Sequence, residues 1–178
     1  MTISSYHIRK ATPSDAKDIA FVHVNSWKTS YAGIIDQTFL DNMSYEKRHA
    51  SWKDILQSKK SQELVVTFDK QVIGFVGFGS IRSESHLAFF ENTDTKIGEI
   101  YAVYLLEEYK GKSLGKALFQ RCRLWFSQEG FESFVVWALT DNVNAKPFYE
   151  SEGGKPIGKR TITIGDKNYP ETCYLFKT

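Results

Sequence analysis

The sequence predicts one α/β domain, a mixed central β-sheet flanked by helices in the order βααββ, then βαβα, then ββ. Three observations lead there. Apolar residues recur at helical spacing up to about residue 57 and switch to strand-like runs from residue 63. A strand–helix–strand unit joined by a glycine-containing loop sits in the second half. The length, 178 residues, fits one real core and would squeeze two, so residues 1–178 are expected to form a single domain.

Taken in order, Ile3 to Lys10 reads as a short first strand. A helix follows in "ATPSDAKDIAFVHVNSWKTSY", where Thr12 or Ser14 can cap and Pro13 suits the opening turn. Ile19, Val22, Val24 and Trp27 form its apolar stripe, and Gly33 closes it. "TFLDNMSYEKRHASWKDILQ" reads as one second helical stretch. "ELVVTFDKQVIGFVGFGSI" is two strands around an Asp69-Lys70 turn, and residues 82–95 read as a surface loop. "KIGEIYAVYLL" is apolar on both faces, which places it centrally in the sheet. Leu114 to Gln128 is a helix ended by Gly130, and "FESFVVWALT" is another buried strand. Asn144 to Ser151 makes a short helix stopped by Gly153-Gly154. The last two strands in "KRTITIGDKNYPETCYLFK" turn at Gly165-Asp166.

Composition narrows the class. Hydrophobic residues at 42% and charged residues at 25% are ordinary for a soluble protein, while 15% aromatics suit a dense core or a ring-lined pocket. A formal charge of +2 is too small for a nucleic-acid footprint. No apolar run approaches the roughly 20 residues that span a bilayer. Cys122 and Cys173 lie far apart without metal-ligand spacing, and no leader peptide is visible, so a cytoplasmic protein without a metal is expected.

The chemistry concentrates in "EEYKGKSLGKAL", where Gly111, Gly115 and three lysines precede a helix. Amides in a helix's first turn lack internal partners, and the helix dipole adds positive charge there. Such a loop can wrap a phosphate or pyrophosphate; it can equally be a solvated turn. Two phosphate loops fail on spacing. G-x-x-x-x-G-K-[ST] needs one more residue between Gly111 and Gly115, and Ala117 stands where the hydroxyl should be. The G-x-G-x-x-G fingerprint is absent.

With "EIYAVYLLEEYKGKSLGKAL" followed by "VVWALTDNVNAKPFYESEGG", the chain resembles the GCN5-related N-acetyltransferase family. That family carries Q/R-x-x-G-x-G/A at a helix start and N-x-x-A-x-x-x-Y on a later helix. Here Lys110 replaces Gln or Arg, Ser113 replaces the first motif glycine, and Glu107 stands where proline is common. Ser113 is acceptable there if its φ is negative. The resemblance implies acetyl-CoA as acyl donor, its pyrophosphate held by the amides of Gly111, Lys112, Ser113, Leu114, Gly115 and Lys116. It implies that Val103, Tyr104 and Leu105 pair with the pantetheine arm, and that Asn142, with Asn144 as a second candidate, hydrogen-bonds the donor.

Acetyl transfer to an amine needs a base for the ammonium and a proton for the leaving thiolate. Alkyl amines, with pKa near 10.4, are charged at neutral pH; a tyrosine near 10 can protonate a thiolate. Tyr149 matches the motif tyrosine, the general acid by resemblance, although a packing role in "FYES" stays open. Glu99 is the base candidate; water, or a plain strand-end carboxylate, is the alternative. Strict alternation puts Ile97, Glu99, Tyr101, Val103 and Leu105 on one face. Trp27 and Tyr31, at i and i+4, either pack or wall an acceptor pocket, with Tyr101 and Trp137 as further wall candidates. His23 and His49 read as ordinary surface or helix residues. The expected activity is transfer of an acetyl group to a primary amine of a small molecule or peptide. A non-catalytic acyl-CoA-binding domain is the alternative, and a homodimer through the last strands stays open.

Overall fold

The computed structural model describes residues 5–82 and 95–178. The expected loop at 82–95 and the start of the first strand at Ile3 therefore fall mostly outside the described residues.

Strand β1 (Tyr6–Lys10) leads into a 3-10 turn over Pro13–Asp15 that carries a reciprocal capping box between Thr12 and Asp15. Asp15 also accepts two hydrogen bonds from Arg9, which ties β1 to the helix start. Helix α1 (Ala16–Ser30) buries Ile19, Val22 and Val24 completely, as its apolar stripe requires. The expected single second helix is two, α2 (Gln37–Asp41) and α3 (Tyr45–Ser58). The break has a cause: the Asp36 carboxylate caps α2 through the Phe39 amide, and the Ser44 hydroxyl caps α3 through the Lys47 amide.

Strands β2 (Gln62–Phe68) and β3 (Gln71–Ser80) join through Asp69 and Lys70, both with positive φ, the two-residue turn that matches strand twist. They are followed by β4 (Ile97–Leu105), α4 (Leu114–Gln128), β5 (Ser133–Leu139), α5 (Lys146–Ser151), β6 (Lys155–Ile164) and β7 (Lys167–Lys177). The sheet runs β1-β2-β3-β4-β5-β7-β6. Every neighbouring pair is antiparallel except β4 with β5.

That parallel pair is the feature that makes a site. It holds for only four residues, from Ile97 opposite Ser133 to Ile100 opposite Val136. Beyond Ile100, β4 stays paired with β3 as far as Leu105, and β5 stays paired with β7 as far as Leu139. The two central strands therefore diverge, each held by its outer neighbour, and a wedge opens between them. The divergence begins at a β-bulge: Gly77 pairs with Ala102 and Phe78 with Ile100, so Tyr101 is the extra residue.

The bulge corrects the expected alternation. Beyond Tyr101 the faces exchange. Tyr104, expected opposite Glu99, lies instead on the α1 face against His23, with ring centroids 5.4 Å apart. Leu105 turns to the other face and approaches Gly115 in the first turn of α4.

Helix α4 covers that second face with Leu118, Phe119, Cys122 and Phe126, all fully buried. Phe126, Phe134 and Phe176 stack at 4.9 and 5.0 Å. Each such ring removes enough apolar surface from water to stabilise by about 2–3 kcal/mol. Gly98 lets α4 sit this close, because a Cβ there would lie 2.2 Å from the Phe126 ring. No helix among the described residues is long and apolar enough to cross a membrane.

Candidate active site

The wedge between β4 and β5 is a cleft of about 580 Å³. One end is the head of α4. Gly111 (φ +72°) and Ser113 (φ +60°, ψ 10°) both take left-handed backbone, so Ser113 does not have the negative φ that the sequence reading asked of it. A serine in that region costs about 1–2 kcal/mol, and the local geometry explains why the strain persists. With left-handed residues on either side of Lys112, successive amides turn inward and form a concavity for an anion. Among the described residues none of the amides from Gly111 to Lys116 finds an acceptor; the first satisfied one is Ala117, which donates to the Ser113 carbonyl at 3.0 Å. Six unpaired donors at the positive end of a 15-residue helix are a fit for a pyrophosphate.

The lysines around this loop are tied back. Lys110 donates to Glu107 and, at 3.0 Å, to Ser30; Lys116 lies 3.8 Å from Glu152. Lys112 sits over the Tyr109 ring at 5.0 Å and does not line the cleft. Main-chain amides, more than lysine charge, are what this loop can offer an anion.

The cleft brings together Val103, Tyr104 and Leu105 from β4, Gly111, Ser113, Leu114, Gly115 and Lys116 from the loop, and Asn142 and Asn144 ahead of α5. Tyr149, Tyr31, Tyr101 and Trp137 line it as well. Besides Lys112, two sequence candidates do not reach it. Trp27 packs behind Tyr31, edge to face at 5.2 Å. Glu99 is wholly buried beneath Arg82, which donates to its carboxylate through the backbone amide at 3.0 Å and through the guanidinium. The hydrogen-bond partner that a buried carboxylate demands is thus supplied within the fold.

Tyr149 is buried on α5 among Phe119, Phe148 and Tyr174. Burial first, then the nearby Tyr31 and Tyr174 phenols, push its pKa far above the ordinary tyrosine value. Among the described residues its hydroxyl has no hydrogen-bond partner, so its proton is available to a group in the cleft. Burial also raises Tyr31, and it pushes Tyr104 up to about 12. Their hydroxyls meet at 3.0 Å.

Several relevant residues escaped the sequence reading. His23, taken for an ordinary surface or helix residue, is buried; its Nδ1 accepts from the Trp52 indole at 3.1 Å, and burial lowers its pKa to about 3. Glu171 on β7 is buried, holds Arg160 at 2.8 Å, and acts electrostatically on Tyr31 and Tyr104. Arg160 in turn covers the Trp137 ring at 4.1 Å. The signal for Glu171 was a carboxylate on the inward side of a strand otherwise apolar there. No group of three or more potential metal ligands occurs among the described residues.

Comparison with known proteins agrees with this geometry. Residues 27–171 match the Acetyltransferase (GNAT) family. YuaI, an uncharacterized N-acetyltransferase of Bacillus subtilis, is 39% identical over 159 residues, covering 88% of this chain and 84% of that protein. The spermidine N(1)-acetyltransferase of Thermoplasma acidophilum is 24% identical, covering 85% of this chain and 89% of its own. Among solved structures, the PaiA N-acetyltransferase of Thermoplasma acidophilum in complex with coenzyme A superimposes with a TM-score of 0.74 at 22% identity, covering 98% and 99% of the two chains. A splayed parallel pair, an amide-lined helix head and a matching family signature converge on one assignment: the chain belongs to the acetyltransferase (GNAT) family.

Proposed function

We propose that residues 1–178 form one N-acetyltransferase domain that moves an acetyl group from acetyl-CoA directly to a primary amine. The observation that carries this reading is the row of six unpaired amides, Gly111 to Lys116, at the mouth of a cleft whose wall includes Tyr149. Those amides hold the donor's diphosphate. The edge of β4 beyond Ile100, which has no strand partner on the cleft side, offers main-chain groups to the pantetheine amides, and Asn142 or Asn144 adds a side-chain contact. The coenzyme A complex of the Thermoplasma structure supports this assignment by likeness of fold.

In the transfer the amine nitrogen forms a bond to the thioester carbon, the C–S bond breaks, and the departing thiolate takes the Tyr149 proton. A phenol held far above its usual pKa is a weak donor to a solvated thiolate near 8.5. Desolvation raises a thiol as it raises a phenol: Cys173, buried outside the cleft on the strand beside β5, is pushed up to about 12, first by burial and then by nearby Glu99 and Glu171. Burial thus narrows the gap between acid and leaving group. For the amine proton we propose water in the open cleft as the immediate acceptor. Glu99 receives it only when Arg82 leaves its carboxylate, and Glu171 is the carboxylate whose field reaches Tyr31 and Tyr104.

Calorimetry with coenzyme A, together with thiol release from acetyl-CoA across a panel of amines, tests the proposal. Binding and amine-dependent release are expected. Binding without release for any amine would point to an acyl-CoA-binding domain, and absence of binding would remove the reading.

A further inference from the structure

Tyr101 and Trp137 stand where the wedge opens. The last paired residues of β4 and β5 are Ile100 and Val136, and the next residue on each strand is one of these two rings. Both line the cleft. Its other end is the head of α4, beside Leu105 at the end of β4. Four residues of strand, about 13 Å, separate Leu105 from Tyr101. A donor whose diphosphate sits on the α4 amides and whose arm runs along β4 therefore carries its thioester toward the rings, and the acceptor amine meets it there.

The two rings share an arrangement. Arg82 lies over Tyr101 at 4.7 Å and Arg160 over Trp137 at 4.1 Å. Neither arginine lines the cleft. Arg160 arrives from β6, across β7, the side of β5 away from β4. Each guanidinium is held in turn by a buried carboxylate, Arg82 by Glu99 and Arg160 by Glu171. Rings that would draw a cation are thus already in contact with one, and a second positive charge on the cleft side is repelled by the first. Charge in the rest of the cleft points the same way. The charged residues that line it among those described are Lys110, Lys116 and Glu152, grouped at the α4 end. Glu152, the one carboxylate of that lining, lies 3.8 Å from Lys116 and accepts from Gln120 at 2.8 Å. Toward the apex the described lining is Tyr31, Ile100, Tyr101, Tyr104, Val136 and Trp137, rings and aliphatic groups.

Resting on the acetyltransferase reading above, we propose that the acceptor is an arylalkylamine with a single positive charge, its ring on Trp137 and Tyr101 and its amine directed into the wedge. An aromatic body gains from burial and, beyond it, from ring-on-ring contact. A polyamine such as spermidine, the substrate named for the Thermoplasma relative, would bring further ammonium groups to a wall that offers them no counter-charge.

Steady-state coenzyme A release tests it with a series of phenylalkylamines, their cyclohexyl counterparts, diaminobutane and spermidine, each kcat/KM being referred to the unprotonated form of the reacting amine. The wild-type enzyme should favour its best phenylalkylamine over the cyclohexyl counterpart by roughly threefold to tenfold, the range of an aromatic pair. Over spermidine the preference should be at least roughly a hundredfold, as expected for an unpaired buried charge. Trp137→Leu should bring the phenyl-to-cyclohexyl ratio close to one, chiefly through KM, and Trp137→Phe should keep part of it. Spermidine or diaminobutane as the better acceptor, equal use of phenyl and cyclohexyl amines, or a ratio untouched in Trp137→Leu would each overturn the proposal. If Trp137→Leu does not fold, the wild-type ratios and Trp137→Phe decide. Calorimetry with coenzyme A on the same samples keeps the two readings apart. Intact donor binding with no preference for phenyl amines refutes only the acceptor assignment, whereas absence of donor binding in the wild type refutes the enzyme.

Discussion

The hydroxyls of Tyr31 and Tyr104 lie 3.0 Å apart, one at the end of the first long helix and the other on the diverging central strand. This contact bridges the two sides of the cleft mouth, and burial keeps both phenols protonated well above neutral pH. A net contribution of about 1 kcal/mol is typical for such a bond. Tyr31→Phe should therefore lower acceptor kcat/KM by roughly fivefold to tenfold and leave coenzyme A affinity within about twofold. An ultraviolet phenolate titration of the wild-type protein should show this pair ionising later than the exposed tyrosines. An unchanged acceptor kcat/KM in the variant would make the contact purely structural.

Tyr149→Phe removes one oxygen from a ring packed on three aromatic neighbours, so the fold should survive. Loss of the proton donor should cut kcat by roughly a hundredfold to ten-thousandfold, the usual range for a general acid. Coenzyme A affinity, which the proposal assigns to the amides at the head of α4, should barely move. Wild-type turnover in this variant would exclude Tyr149 from the chemistry.

Ser113 makes the strain at the anion seat measurable. Its φ of +60° suits glycine, and Ser113→Gly should stabilise the protein by about 0.5–1 kcal/mol. For a chain of this size that is a rise in Tm of roughly 1–4 °C. Ser113→Val, with a branched Cβ in the left-handed region, should lower Tm and weaken coenzyme A binding together, because the same backbone shape aims the amides. A lower Tm for the glycine variant would show that the serine side chain has a role the present contacts do not reveal.

Most of the fold was legible because periodicity reports burial locally: α1, α4 and the β2–β3 hairpin emerged with nearly their observed bounds. The break between α2 and α3 was not, because Phe39, Met43 and Trp52 keep near-helical spacing across a cap that only Ser44 signals. The bulge at Tyr101 was hidden for a different reason. Register belongs to a pair of strands, and nothing in "GEIYAVYL" alone reveals that Gly77 will pair with Ala102. Of the site, the loop and the N-x-x-A-x-x-x-Y helix were readable as motifs. Glu171 was not, since its burial depends on the pairing of β7 with β5 and β6, which one strand's sequence does not show.

His23 predicts the acid behaviour of the whole domain. Its folded pKa, about 3, lies below the unfolded value near 6.5, and burial is the main cause. Between those values the unfolded chain binds a proton that the folded one refuses, so protonation favours unfolding. The stability in question is fully present above about pH 6.5 and drains away as pH falls toward 3, with a slope of up to about 1.4 kcal/mol per pH unit. Asp15, held below the carboxylate range chiefly by Arg9, acts in the same direction but only below about pH 4. Glu63, raised above the ordinary carboxylate value by burial, acts in the opposite sense at the lower end of the interval from about pH 4.5 to 6.5. It is common to wild type and a His23 variant, so their difference isolates the histidine. Urea unfolding of wild type and His23→Gln across that interval should show a steep loss of midpoint in the first and a much flatter one in the second. Glutamine cannot titrate, yet its carbonyl can still accept the Trp52 N–H, so a difference in slope reports the buried imidazole and not a lost hydrogen bond. Parallel slopes would mean that His23 gains a proton in the folded state after all, and the packing of α1 on the sheet would then have to admit water.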